Sequence, residues 1–169
     1  KIGDKAILEI QLERFIAAGF TNFYISTHYI PEMIKSYFGD GSNWNVSIQY
    51  IYEEQPLGTG GALGLLPKNI SQLPMVMING DLLTKVNFRK MLDFHNDRKL
   101  SATVCVRDYE IAVPFGVVEG TDGAIDSMRE KPKYSFFINA GIYIINPEII
   151  LNVSKNRQID MPSVLEEHM

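Results

Sequence analysis

The sequence predicts an α/β protein, a sheet covered by helices, and three observations predict it. A short apolar run, Met75-Val76-Met77-Ile78, stops abruptly at Asn79-Gly80-Asp81, the pattern of a strand buried on both faces. The first third of the chain alternates helical and strand periodicity in the order α-β-α-β. Hydrophobic residues make up 46% and charged residues 21% of the 169 positions, enough apolar material for a core of one domain or most of one.

Residues 5–18 place Leu8, Leu12, Phe15 and Ile16 on one helical stripe, with Gly19 as the stop. Asn22–Ser26 is a β-rich run. Pro31-Glu32 opens a second helix that Gly39 ends, with Met33, Ile34, Tyr37 and Phe38 as its expected buried stripe. Val46, Ile48, Tyr50 and Tyr52 alternate as a strand. The loop Glu53–Thr59 is shaped by Pro56 and Gly58, and Thr59 is placed to cap a helix from Gly60 to Leu66. The small residues of that helix's first turns leave room for something to approach its N-terminus.

After the strand that ends at Asp81, a helix begins near Asn87. It carries Phe88, Met91, Leu92 and His95 on one face, so His95 reads as a helix-face histidine rather than a ligand. Ala102–Arg107 is a strand. Val113–Glu119 leads into another, Gly120-Thr121-Asp122-Gly123 has hairpin-turn composition, and Ala124–Arg129 returns. Glu130-Lys131-Pro132 ends the return. Asn139-Ala140-Gly141 precedes the apolar Ile142–Ile145, and Asn146-Pro147 and Asp160-Met161-Pro162 each open a short helix.

Composition removes several function classes. A net charge of -4 offers no basic footprint, so nucleic acid is not an expected partner. No run of 18 apolar residues and no signal peptide are present, so no membrane association is expected. The one cysteine, Cys105, sits in an apolar alternating run and reads as a buried inert thiol; that agrees with a reducing, cytoplasmic setting. Three scattered histidines and one cysteine make no zinc pattern. Neither a Gly-x-Ser-x-Gly elbow, a Walker A motif nor a dinucleotide fingerprint appears.

Chemistry must therefore come from three polar clusters. In Glu54–Thr59, Gln55 and the free backbone groups around Gly58 could read the edge of a nucleobase, or the segment is a plain strand–helix connection. In Gly80-Asp81, a carboxylate at the end of a buried strand suits a hard cation that also holds substrate phosphates, or it closes a turn. The third cluster joins Gly116, Glu130, Lys131 and Asn139, all expected at strand ends. Glu130 can accept hydrogen bonds from vicinal hydroxyls, Lys131 can neutralise a phosphate, and Asn139 can donate to and accept from a sugar hydroxyl. Singly each is weak, since exposed Glu-Lys pairs usually do nothing specific.

Taken in order along the chain, the segments Gly3-Asp4-Lys5, Glu54-Gln55-Pro56-Leu57-Gly58-Thr59-Gly60-Gly61-Ala62-Leu63, Asn79-Gly80-Asp81, Pro114-Phe115-Gly116-Val117-Val118, Glu130-Lys131-Pro132 and Asn139-Ala140-Gly141-Ile142-Tyr143 resemble the sugar-phosphate nucleotidyltransferases. The resemblance spans essentially the whole chain and is most similar to the mannose-1-phosphate guanylyltransferase branch, including bacterial members that serve surface polysaccharides. It implies a Rossmann-like GT-A fold with a mixed, mostly parallel sheet and helices on both faces. Residues 1–169 would be one incomplete nucleotidyltransferase domain, with 115–145 as its sugar-phosphate-binding part. It further implies that Gln55, Gly58, Thr59 and Gly80 contact nucleotide, that Asp81 holds Mg²⁺, that Gly116, Glu130 and Asn139 grip the sugar, and that Lys131 meets its phosphate. The partners would be a nucleoside triphosphate and a sugar 1-phosphate.

Two departures follow from the same resemblance. The family's glycine-rich loop with its arginine would precede Lys1, and a second metal-binding carboxylate would follow Met169; Asp160, beside Pro162, reads instead as a helix cap. The expectation is a domain truncated at both ends and inactive alone. Two of its strands would be left without the neighbour between them, an edge open to self-association. Alternative classes stay open: a non-catalytic nucleotide-sugar-binding subunit, uridylyl or thymidylyl transfer, or a glycosyltransferase of the same broad fold. The last usually carries an Asp-x-Asp pair where this chain has the single Asp81.

Overall fold

The computed structural model describes residues 3–169, so the reading that starts the chain at Lys1 lies outside the described residues. Helix α1 (Ile7–Ala17) ends where Gly19 takes φ +92, a left-handed conformation that a Cβ disfavours, and its amide closes on the Ile16 carbonyl. Strand β1 (Asn22–Thr27) pairs in parallel with β2 (Ser47–Tyr52), Phe23 opposite Ile48 and Ile25 opposite Tyr50. Between them runs α2 (Pro31–Phe38), with proline in its first turn. Leu12, Phe38 and Ile48 are buried together under Leu8, Ile16, Ile34 and Trp44. Burial of each such side chain contributes roughly 1.5–3 kcal/mol.

The expected α2 stripe is half right. Phe38 is buried, but Met33 and Tyr37 are exposed, because an eight-residue helix over a two-stranded sheet covers only its Ile34/Phe38 side. Tyr37 instead donates its hydroxyl to Glu9 at 2.7 Å. The helix expected over Gly60–Leu66 starts earlier and changes character. A single α-turn, α3 (Gly58–Gly61), passes into a 3₁₀ turn over Ala62–Leu65. Four glycines in that stretch, Gly58, Gly60, Gly61 and Gly64, give it little propensity to continue as α-helix.

Strand β3 (Met75–Ile78) pairs antiparallel with the end of a long strand, β7 (Lys133–Ile145), Met75 opposite Ile145 and Ile78 opposite Ile142. With β4 (Ala102–Ala112) they form a three-stranded sheet in the order β3-β7-β4. The position buried on both faces belongs to β7, where Ile142–Ile145 are 0–2% exposed. All four residues of β3 are only half-buried, which corrects the expectation for this run. Among the described residues β3 pairs only with β7 and β1 only with β2, so each carries an unpaired edge.

Helix α4 (Phe88–Asp97) is capped by Asn87, whose side chain accepts from the Lys90 amide at 3.0 Å. His95 is a structural residue. It is 1% exposed, its Nδ1 lies 2.8 Å from the Thr103 hydroxyl and its Nε2 lies 3.0 Å from Asn146 Oδ1. Asn146 turns its amide to the Leu100 carbonyl and precedes α5 (Pro147–Asn152); the chain closes with α6 (Met161–Glu166).

Residues 104–141 form a second compact unit, apart from 1–103 with 142–169. It holds the hairpin β5 (Val117–Thr121) and β6 (Ala124–Arg129), joined by Asp122-Gly123 with both residues at positive φ, the demand of a tight two-residue turn. Cys105 is a free, half-buried thiol rather than a fully buried one. Asn139, expected at a strand end, lies inside β7, where its side chain accepts from the Gly141 amide at 2.9 Å. Gly141 takes φ +70 there and interrupts the regular extended geometry. Sheet pairing is thus mixed: parallel between β1 and β2, antiparallel between β3 and β7 and between β5 and β6.

Candidate functional site

The loop between β2 and α3 is fixed at both ends. Glu53 is buried, and its carboxylate accepts from the Leu57 amide at 3.1 Å. Its carbonyl lies 2.8 Å from His28 Nδ1. Leu57 is 1% exposed and exchanges backbone contact with Ile159, whose amide donates to the Leu57 carbonyl at 2.9 Å. Between these anchors Glu54, Gln55 and Pro56 stand exposed, so Gln55 is presented on a rigid loop.

Thr59 does not cap its helix; Leu57 occupies that position. The Thr59 amide and hydroxyl both donate to Asp160 Oδ1, at 2.9 and 3.2 Å, and the Thr59 oxygen accepts from the Met161 amide at 2.9 Å. Asp160 is the N-cap residue of α6 by position, but its side chain makes no bond within that helix and serves α3 instead. The glycines explain the fit. A Cβ on Gly58 would sit 2.7 Å from the Ile159 carbonyl oxygen, on Gly61 2.4 Å from that of Arg157, and on Gly64 2.4 Å from that of Ser154. What approaches this glycine run is the chain's own 154–160 segment.

Asn79-Gly80-Asp81-Leu82 is a four-residue turn closed by the Leu82 amide on the Asn79 carbonyl at 3.3 Å. Asp81 is exposed at its third position. Gly80 has no positive φ and nothing within 4 Å of a built Cβ. The turn conformation therefore does not require glycine; open space beside the backbone is what remains. The turn is held from α1, where buried Gln11 donates to the Asn79 carbonyl at 3.0 Å and the Leu82 carbonyl at 2.7 Å.

In the second unit, Gly116 and Glu130 are neighbours: a Cβ on Gly116 would stand 3.2 Å from Glu130 Oε2. The Lys131 amide donates to the Phe115 carbonyl at 3.2 Å, and the Val113 amide to the Pro132 carbonyl at 3.0 Å. These bonds hold Lys131 at φ +45, a strained conformation for a lysine ahead of proline. Its ammonium lies 3.9 Å from Glu130 Oε1, with both side chains largely exposed. Gly116, Glu130 and Lys131 are thus brought together; Asn139 belongs to the same unit.

No group of three or more metal-ligating side chains occurs among the described residues. One exposed carboxylate at a strand end is a donor set compatible with Mg²⁺, which keeps several waters and takes substrate phosphate oxygens beside one or two carboxylates.

A family model described as "Nucleotidyl transferase" matches residues 1–166. The chain belongs to the nucleotidyl transferase family. A D-glycero-alpha-D-manno-heptose 1-phosphate guanylyltransferase from Aneurinibacillus thermoaerophilus is 36% identical over 132 residues, covering 78% of this chain and 57% of that protein. A mannose-1-phosphate guanyltransferase from Candida albicans is 31% identical over 159 residues, covering 89% and 44%. The chain thus spans about half the length of these curated relatives. Among solved structures, HddC from Yersinia pseudotuberculosis superposes with a TM-score of 0.69 at 24% identity, over 93% of this chain and 70% of that one. A UDP-glucose pyrophosphorylase complexed with UDP-glucose gives 0.67 at 21%, over 99% and 76%. At those identities the structures establish the shared nucleotidyl transferase fold.

In this member of the nucleotidyl transferase family, sequence reasoning passed over Gln11, Glu53 and Asp160 as parts of the site's support. Glu53 had a readable signal, a carboxylate four residues before a leucine amide in a Pro-Gly loop. Gln11 had one too, a polar residue on an apolar stripe between Leu8 and Leu12. Asp160 had none, since its partner lies 101 residues away.

Proposed function

We propose that the full-length protein transfers a nucleoside monophosphate, GMP by preference, from a nucleoside triphosphate to a sugar 1-phosphate. A phosphate-monoester oxygen of the sugar 1-phosphate forms a bond to the α-phosphorus while the bond from that phosphorus to the bridging oxygen of the β-phosphate breaks. Pyrophosphate leaves. The monoester is already ionised at neutral pH, so no general base is needed; alignment and charge neutralisation carry the rate. The observation behind this reading is the pinned Glu53–Gly61 loop, which holds Gln55 exposed on a rigid frame in a chain of the nucleotidyl transferase family.

In this reading Gln55 and Gly58 meet the base, and the open face of Gly80 admits the nucleotide. Thr59, with its amide and hydroxyl engaged by Asp160, contributes by fixing the loop. Gly116, Glu130 and Asn139 contact the sugar, and Lys131 its phosphate. Asp81 holds Mg²⁺, which when bound neutralises phosphate charge. The preference for GMP rests on the two guanylyl-named relatives; relatives by fold named for thymidylyl transfer and for UDP-glucose make UTP and dTTP the alternatives. The deciding experiment is pyrophosphate release with Mg²⁺ from GTP, UTP, dTTP and CTP against a panel of sugar 1-phosphates. Release that requires one sugar phosphate identifies both substrates. Nucleotide-sugar binding with no release from any pair replaces this reading with a binding subunit.

The unpaired edges of β1 and β3 support self-association of residues 1–169 on their own. Light scattering that finds a monomer at every concentration tested would remove that part of the reading. Product formed by residues 1–169 alone would remove the expectation that they are inactive in isolation.

A further inference from the structure

We infer that Gln11 is a positioning residue for Asp81, an inference that rests on the reading of Asp81 as the metal-holding carboxylate. Gln11 is 4% exposed on α1, and a buried amide is costly unless it is hydrogen-bonded. Its Nε2 donates to the carbonyls of Asn79 and Leu82, at 3.0 and 2.7 Å. Those two residues are the first and last of the turn that has Gly80 and Asp81 at its centre. One side chain therefore holds both ends of the turn that carries Asp81.

The rest of α1 supports the same attachment. Arg14 donates from Nη2 to the Val86 carbonyl at 3.1 Å, and the Phe15 ring stacks on Phe88 at 4.1 Å and 13°. Gln11, Arg14 and Phe15 are spaced i, i+3 and i+4, so they share one helix face, and that face fastens the chain from Asn79 to Phe88 along its length. The turn itself supplies little stiffness. Its closing bond is long at 3.3 Å, and Gly80 and Asp81 are exposed. The backbone from which the Asp81 carboxylate projects is therefore held in place by Gln11.

Partners that orient a metal-holding group from behind change metal affinity about 10- to 100-fold when removed. The test uses the full-length protein with Gln11→Glu, Gln11→Met and Asp81→Asn, and with His95→Gln as a variant that loosens the fold away from the turn. Mn²⁺ binding is titrated by electron paramagnetic resonance in the presence of GTP, and amide exchange at Leu82 is followed without metal. Both Gln11 variants should weaken Mn²⁺ binding about 10-fold or more and speed Leu82 exchange, with the KM for sugar phosphate unmoved. His95→Gln should lower the Tm and leave Mn²⁺ affinity unchanged. Mn²⁺ binding within twofold of the parent in Gln11→Glu overturns the inference, even if Gln11→Met fails to fold. Unchanged Mn²⁺ binding in Asp81→Asn overturns the metal reading of Asp81 and the inference with it.

Discussion

Asp160 accepts two hydrogen bonds from Thr59, 101 residues earlier in the chain, through a single carboxylate oxygen. The bond from the backbone amide answers an orphan donor at the start of α3; the bond from the hydroxyl fixes the Thr59 rotamer. The carboxylate thus caps one helix while sitting at the N-cap position of another. Removing it should release the loop that presents Gln55. Asp160→Ala is expected to lower stability by about 1–2 kcal/mol, read by urea unfolding, and to raise the KM for the nucleotide more than that for the sugar phosphate. Equal KM changes for both substrates would separate the clasp from nucleotide recognition.

The glycines of the signature loop and of the Asn-Gly-Asp turn should behave oppositely. Gly61→Ala places a Cβ 2.4 Å from the Arg157 carbonyl oxygen and 2.6 Å from Leu57 Cβ, and backbone must shift to admit it. A loss of about 1–3 kcal/mol is expected. Gly80→Ala meets nothing within 4 Å, so stability should hold within about 0.5 kcal/mol while nucleotide affinity falls. Thermal melts beside nucleotide titrations of the two variants decide it.

Lys131 should show function and stability pulling apart. It sits at φ +45, where a side chain costs about 1–2 kcal/mol. Lys131→Gly relieves that strain but adds freedom to the unfolded chain, for a net gain of about 0.5 kcal/mol or more. The same substitution removes the charge proposed to meet the sugar's phosphate. The variant should melt at or above the parent temperature with the KM for sugar 1-phosphate raised at least tenfold. A lower Tm would mean that the lysine side chain, not the loop's hydrogen bonds, holds this turn.

The β5–β6 hairpin should carry an acid-sensitive contribution. Glu119 lies opposite Ser127; hydrogen bonds from Arg129 first and Ser127 second hold its carboxyl below the usual glutamate range. A carboxylate with a depressed folded pKa binds fewer protons than in the unfolded chain. Its contribution is therefore complete above the ordinary value of about 4.3 and is lost as pH falls through the lower folded value. Amide exchange in β5 and β6 should quicken in that acid window in the parent. In Glu119→Gln it should already be fast at neutral pH and show no such step.

Much of the frame was legible because local signals decide it. Gly19 and Gly39 end helices, Asn87 caps α4, and Asp122-Gly123 closes the hairpin. In each case the residue type answers a demand of its own backbone. The ordered segments from Glu54 to Tyr143 likewise carried the family resemblance, and the family match over residues 1–166 agrees with it. The α2 stripe misled because periodicity reports which residues share a face, not how far the opposing surface extends.

By itself, then, the sequence determined the α/β class, the helix stops and caps, the hairpin turn and the family. Tertiary structure alone decided which apolar strand lies at the centre. The Met75–Ile78 run is half-buried beside β7, whose Ile142–Ile145 segment is nearly sealed, because burial depends on how many neighbours a strand has. It also decided what the glycine run receives: Gly58, Gly61 and Gly64 face the carbonyls of residues 154–159 rather than empty space. And it decided that Gln11, Glu53 and Asp160 hold the two loops on which Gln55 and Asp81 stand. Gln11 and Asp160 act on backbone groups 68 and 101 positions away, and a hydrogen bond across such a distance leaves no period or spacing in the chain to be read.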